Sequence, residues 1–251
     1  MSAFWAEISA TLFTWPMLGG LFATVIAGLM RGYAGFGTAV ILAPIYSTLW
    51  GAPAGIPVML LMELLISAQL LPAAMREADK RVILPIGGTA LLTLPLGTII
   101  LYATDPDLLR RVIGGFVLVF GFLLMSGWRY HGSRPLWLNM SVGGVAGVLK
   151  GATGMSGPPV ILYLLAGPEE AKRHRANLIL FFGIIAVASV VGPFLLGLIT
   201  VAVLAKLAVL LPVMLLSVPV GVRLFHVVPE RLYKPFAMAV LVAVGCIALF
   251  G

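Results

Sequence analysis

The chain has 251 residues, of which 61% are hydrophobic and only 10% charged. A soluble domain carries about 25% charged residues, so a water-facing surface is excluded and a lipid-facing one is expected. The formal net charge of +7 does not mark a nucleic-acid binder. Only Arg31, Glu63, Lys150 and Lys206 fall inside long apolar runs, and the other charges lie in short connections or near the N-terminus, as basic cytoplasmic loops of membrane helices do.

From the N-terminus, the first apolar region runs from Pro16 to Leu49 and is interrupted by Arg31-Gly32-Tyr33-Ala34-Gly35-Phe36-Gly37. No Lys or Arg precedes Arg31, so the basic start of a signal peptide is not expected. Next come Ile56 to Met75, Val82 to Ala103 and Val112 to Trp128, each near the length of about 20 residues that a spanning helix needs. A second interrupted region, Leu136 to Leu165, contains Lys150-Gly151-Ala152-Thr153-Gly154-Met155-Ser156-Gly157-Pro158-Pro159. Leu178 to Leu196, Thr200 to Val222 and Leu232 to Phe250 follow as further spans. Pro and Gly within them are tolerated because neighbouring helices re-satisfy the freed backbone groups. The pieces flanking each interruption span roughly 15 to 24 Å at 1.5 Å per residue. Against a hydrocarbon core of about 30 Å they read as half-helices meeting at a Gly-rich break, the second halves starting near Thr38 and near Pro158.

The two interrupted regions are copies. Ala27, Gly28, Gly32 and Gly35 map onto Ala146, Gly147, Gly151 and Gly154 at a constant offset of 119 (146 minus 27), and Leu29-Met30-Arg31 maps onto Val148-Leu149-Lys150. One inserted residue later, Val40-Ile41-Leu42 maps onto Val160-Ile161-Leu162. The fold expected is an all-α membrane protein, a polytopic helical bundle of two homologous repeats, each a Gly-broken hairpin plus three transmembrane helices. Residues 1–251 form one transporter domain, with repeat 1 at about 16–130 and repeat 2 at about 136–251. Basic residues follow the second and fourth elements of the first half (Arg76, Lys80, Arg81; Arg129, Arg134) but the first and third of the second half (Lys172, Arg173, Arg175; Arg223, Arg231, Lys234). Basic loops face the cytoplasm, so the halves are read as inverted. Arg110 and Arg111 fall on the other side, beside Asp105 and Asp107.

Paired, Gly-interrupted segments in corresponding places of two inverted halves point to a transporter's binding site. A half-helix N-terminus offers N–H donors and partial positive charge to an anion, and glycine lets the ligand approach the backbone. The candidate anion ligands are Arg31, Gly35, Phe36, Gly37 and Thr38 at the first break and Lys150, Thr153, Gly154, Ser156 and Gly157 at the second. Arg31 and Lys150 either contact the anion or snorkel to an interface. Glu63, near the middle of its run, either carries a coupling proton or pairs with Arg31, Lys150 or Lys206, since an unpaired carboxylate there is costly. Lys206, a short way into its run, reads as snorkelling. Ser67, Gln69 and Asn177 read as helix cross-links. His131, His174 and His226 lie in charged stretches and carry neither metal nor catalysis. Cys246 is the one cysteine, which excludes an internal disulfide. No cofactor, metal or catalytic residue is expected.

The first motif with Pro44 after it, and the second from Gly147 to Pro159, resemble those of the TauE/SafE sulfite exporter family of bacterial membrane transporters. Length, duplication and the spacing of apolar runs agree over essentially the whole chain. The resemblance implies a multi-pass protein of the bacterial inner membrane that exports or takes up small sulfur-containing anions such as sulfite, sulfoacetate or other organosulfonates. Its partners would be the anion and membrane lipid, with a homodimer left open. A secondary transporter is the leading reading, since no phosphate-binding Gly-x-x-x-x-Gly-Lys-Ser/Thr loop is present, and a proton gradient or the membrane potential would drive it. A passive anion channel is the alternative. An enzyme would need several facing acids, histidines or nucleophiles in the membrane, and Glu63 is the one carboxylate in an apolar run.

Overall fold

The structure, a computed structural model, describes residues 14–103, 122, 126, 132, 134–153 and 156–250. The described residues form helices and no strand. In chain order these are α1 (Trp15–Ala34), α2 (Thr38–Trp50), α3 (Ala52–Glu77), α4 (Lys80–Ala103), α5 (Leu136–Thr153), α6 (Gly157–Leu165), α7 (Ala171–Leu195), α8 (Val201–Val227), a single 3₁₀ turn (Glu230–Leu232) and α9 (Tyr233–Phe250). Four of them, α1, α3, α7 and α8, are long and apolar enough to cross a membrane. The span expected at Val112 to Trp128 lies outside the described residues apart from residues 122 and 126.

Both breaks occur, but they are narrower than the sequence suggested. Pro16 opens α1 within its first turn, where its missing N–H is no loss. The helix then continues through Arg31-Gly32-Tyr33-Ala34 and stops at Gly35, whose φ of 80° is left-handed and whose N–H donates to Arg31 O at 3.1 Å. Gly37 follows with φ 118°, and α2 begins at Thr38. Side-chain-bearing residues rarely adopt these backbone angles, so glycines on both sides of Phe36 make the turn. In the second region α5 likewise runs on through Lys150-Gly151-Ala152-Thr153, and α6 starts at Gly157 with Pro158 and Pro159 in its first turn. The expected pairing of two half-helices is therefore corrected. A helix of 20 or 18 residues leads into each break, and one of 13 or 9 residues leads out.

The chain divides into two compact units, Met1–Pro72 with Phe182–Val227, and Ala73–Phe181 with Val228–Gly251. Each break belongs to one unit. In the first, α1 packs along α8, and a Cβ on Gly28 would meet Ser217 and one on Gly32 or Gly221 would meet the opposing backbone. In the second, α5 packs along α4 in the same manner, with Gly143 and Gly147 against Ile86, Thr89, Ala90 and Thr93, and Gly97 against Val148 O. Without a hydrophobic effect between helices in lipid, such close backbone approach through small residues is what holds them. Gly32 and Gly147 thus serve helix contact, which is why α1 passes through Gly32 unbroken.

The second unit is also tied by polar groups around residues 163–171. Arg134 forms an ion pair with Glu169 at 2.6 Å and donates to the carbonyls of Tyr163 and Leu164 at the end of α6. Lys234 Nζ donates to Gly167 O at 2.7 Å, and the Ala171 N–H donates to Glu230 at 2.7 Å. His174, expected in a charged loop, is instead fully buried in the first turn of α7, with Nε2 4.0 Å from Glu169.

Candidate functional site

Among the described residues Arg31 is the largest fully buried side chain, at 0% exposure. It sits in the last turn of α1, where the helix dipole favours a cation. Nη1 donates to Gly35 O at 2.8 Å and Nη2 to Ser67 Oγ on α3 at 2.9 Å, while the guanidinium lies 5.2 Å from the centre of the Phe182 ring on α7. One side chain thus fixes the end of α1 to two other helices of its unit. Arg31 does not snorkel. Glu63 is buried as well, one helical turn before Ser67 on the same face of α3, so an acid and the hydroxyl that receives Arg31 belong to one stripe.

Phe36, between the two glycines, is fully buried. Thr38 opens α2 at 1% exposure, and its Oγ1 has no hydrogen-bond partner among the described residues. No side chain caps α2, and its first turn carries no acid. Its initial N–H groups therefore keep their donor capacity and partial positive charge. A buried, uncapped helix start with an unpartnered hydroxyl is an anion-binding geometry.

The second break repeats this arrangement with different residues. Lys150 is buried in the last turn of α5 and does not snorkel either. Thr153 ends α5, and Gly154 lies outside the described residues. Ser156 precedes α6 at 2% exposure, and its Oγ also lacks a hydrogen-bond partner among the described residues. Serine is a favoured capping residue, yet at φ −104° and ψ −9° it makes no capping bond to α6. Pro158 and Pro159 remove two backbone donors, so Gly157 and Val160 are the N–H groups left to this first turn. The break in the first unit is the richer in donors.

The structure brings Arg31, Gly35 and Ser67 into direct contact in one unit and places Lys150, Ser156 and Gly157 in the other. Ser67 links α3 to α1 by accepting from Arg31, whereas Asn177 on α7 accepts the N–H of Asp79, in the turn before α4, at 2.7 Å. Phe182 was not singled out, because nothing in an apolar run marks the one aromatic ring that stacks on an arginine about 150 positions away. Lys206 is corrected. It is 7% exposed, with Nζ 5.8 Å from the Trp50 ring centre, so it is sheltered within its unit. No group of three or more His, Cys, Asp or Glu that could hold a metal occurs among the described residues.

The family model of the sulfite exporter TauE/SafE matches residues 20–247. A probable sulfite/organosulfonate exporter TauE of Cupriavidus necator is 27% identical over 237 residues, covering 92% of each chain. No solved structure matches the chain.

Proposed function

Since the chain belongs to the TauE/SafE sulfite exporter family, we propose that it is a secondary transporter of the bacterial inner membrane that exports a small oxyanion, sulfite or an organosulfonate such as sulfoacetate. The observation that carries this reading is the recurrence, after each Gly-rich break, of an uncapped short helix beside a buried hydroxyl without a hydrogen-bond partner among the described residues. Three sulfonate or sulfite oxygens call for several convergent donors. The first break supplies backbone N–H groups, the Thr38 hydroxyl and the charge of Arg31, and the second supplies backbone N–H groups, the Ser156 hydroxyl and the charge of Lys150. The printed name of the Cupriavidus relative gives the substrate class, and the donor chemistry agrees with it.

The two breaks are read as belonging to inverted repeats. This is supported by matched packing as well as matched sequence. Leu29 O meets Gly221 and Val148 O meets Gly97, while Gly28 meets Ser217 and Gly147 meets Thr93. Leu29 and Val148 differ by 119 positions (148 minus 29), as do Gly28 and Gly147 (147 minus 28), and Gly221 and Gly97 differ by 124 (221 minus 97), as do Ser217 and Thr93 (217 minus 93). The broken helix of each repeat would thus pack on the second of the three full spans of the other.

Export of an anion from a negative interior is favoured by about 2.3 kcal/mol per charge per 100 mV. A proton moving inward would add to that, and Glu63 is the residue proposed to carry it. In vesicles with a pH gradient and no membrane potential, Glu63→Gln is expected to abolish gradient-driven sulfite accumulation while leaving the KM for downhill sulfite movement within about twofold. Gradient-driven transport at the wild-type rate would remove Glu63 from coupling. The function itself is tested by sulfite uptake into everted vesicles. Saturable uptake that sulfoacetate competes and chloride does not is expected, and no uptake above protein-free vesicles would overturn the reading.

A further inference from the structure

Each short helix carries a tyrosine whose hydroxyl bonds back to the long helix ahead of the same break. In the first unit Tyr46 of α2 is fully buried, and its hydroxyl lies 2.7 Å from Thr24 Oγ1 on α1. Thr24 donates its own proton to Gly20 O at 2.6 Å, so the Tyr46 proton is shared between Thr24 Oγ1 and Met62 Sδ on α3, which lies at 3.6 Å. In the second unit the Tyr163 hydroxyl of α6 donates to Asn139 Oδ1 on α5 at 2.7 Å. The Asn139 amide in turn donates to Arg134 O at 3.4 Å, and the Arg134 guanidinium lies 4.9 Å from the Tyr163 ring centre. The partners differ in chemistry, threonine in one unit and asparagine in the other, but the link is the same.

Both tyrosines sit away from the break. Tyr46 follows Thr38 by about 12 Å along its helix and Tyr163 follows Ser156 by about 10 Å, at 1.5 Å per residue. A helix of 13 or 9 residues is too short to hold itself in place by its own backbone bonds. Its tilt and depth come from the packing of its buried residues together with side-chain anchors. With the far end fixed to the long helix, the near end stands at a defined place beside the last turn of that helix, which bears Arg31 in one unit and Lys150 in the other.

We infer that Tyr46 and Tyr163 are positioning residues that clasp each short helix to its long helix and thereby set the donors of its N-terminus for the anion. Neither ring needs to touch substrate. The inference rests on the reading of the breaks as the anion site, and its test separates the two.

Tyr46→Phe and Tyr163→Phe keep the ring and remove the bond. Purified protein in lipid vesicles is expected to show a sulfite KM raised about three- to tenfold in each variant, the equivalent of one hydrogen bond, with Vmax within about twofold. Backbone hydrogen exchange should quicken by a similar factor at the hydrogen-bonded amides of residues 41–46 in the first variant and 161–165 in the second, and stay as in the wild type elsewhere. Thr24→Val and Asn139→Leu remove the same bonds from the long-helix side and should reproduce both patterns, including where a phenylalanine variant fails to fold. An unchanged KM, or exchange quickened evenly over all helices, overturns the inference. If the wild-type protein carries no sulfite, the functional reading falls, and exchange at the breaks alone then decides whether the clasps exist.

Discussion

Arg31→Ala is expected to raise the KM for sulfite about ten- to a hundredfold and to lower the melting temperature of the purified protein. The guanidinium donates to Gly35 O and Ser67 Oγ and stacks on Phe182. Its removal leaves a carbonyl and a hydroxyl buried without this donor, at about 1–3 kcal/mol each. Loss of the stacked cation adds about 0.5–2 kcal/mol. The same change removes the positive charge nearest the first break in sequence. Arg31→Lys separates the two effects, because lysine keeps the charge but not the planar fork. A KM restored by lysine would mean that charge attracts the anion, and a KM left at the alanine value would mean that the fork holds the break in shape. Lys150→Ala should raise KM about tenfold. Transport kinetics unchanged in both alanine variants would take these residues out of the site.

Gly32→Ala is expected to destabilise the protein by about 1–3 kcal/mol, as overpacking of a close contact does. A Cβ there would lie 2.8 Å from Val222 N and 2.9 Å from Gly221 Cα, and closer still to Val218 O. All three are backbone atoms on α8, so no side chain can rotate aside, and α1 must move away from α8. Gly88→Ala is the matched control, since a Cβ at Gly88 meets nothing within 4 Å. Alanine favours a helix over glycine by about 1 kcal/mol, so that variant should be as stable as the wild type or more so. Thermal unfolding of both in detergent checks the contrast, and equal melting temperatures would show that the α1–α8 contact tolerates separation.

These outcomes bear on how far a sequence of this kind can be read. Among the described residues, the apolar runs, the two breaks and the starts of α2 and α6 near Thr38 and Pro158 are legible, because a break in lipid needs glycine or proline and a span needs length. The limits of the breaks are not. Gly32 and Gly35 look alike in sequence, yet one lets α8 approach and the other takes a left-handed φ of 80°. Burial of charge was also hidden. Arg31 and Lys206 could be placed within apolar runs, but the rings that receive them, Phe182 and Trp50, come from elements far along the chain. His174 was read as a loop residue because charged neighbours surround it, although α7 begins among those charges and buries the imidazole. Of the site, Thr38 and Ser156 stand out in the sequence by their hydroxyls, and the structure adds that both are buried without a hydrogen-bond partner among the described residues.

The most direct test of the account compares sulfite flux in proteoliposomes of the wild-type protein and of the double variant Thr38→Val, Ser156→Ala, with internal pH recorded at the same time. The account predicts saturable sulfite flux accompanied by proton movement in the wild type, little chloride flux, and a KM at least tenfold higher in the double variant at a similar protein level. Equal KM values in the two proteins, or rapid non-saturating chloride flux in both, would contradict anion binding at the helix breaks.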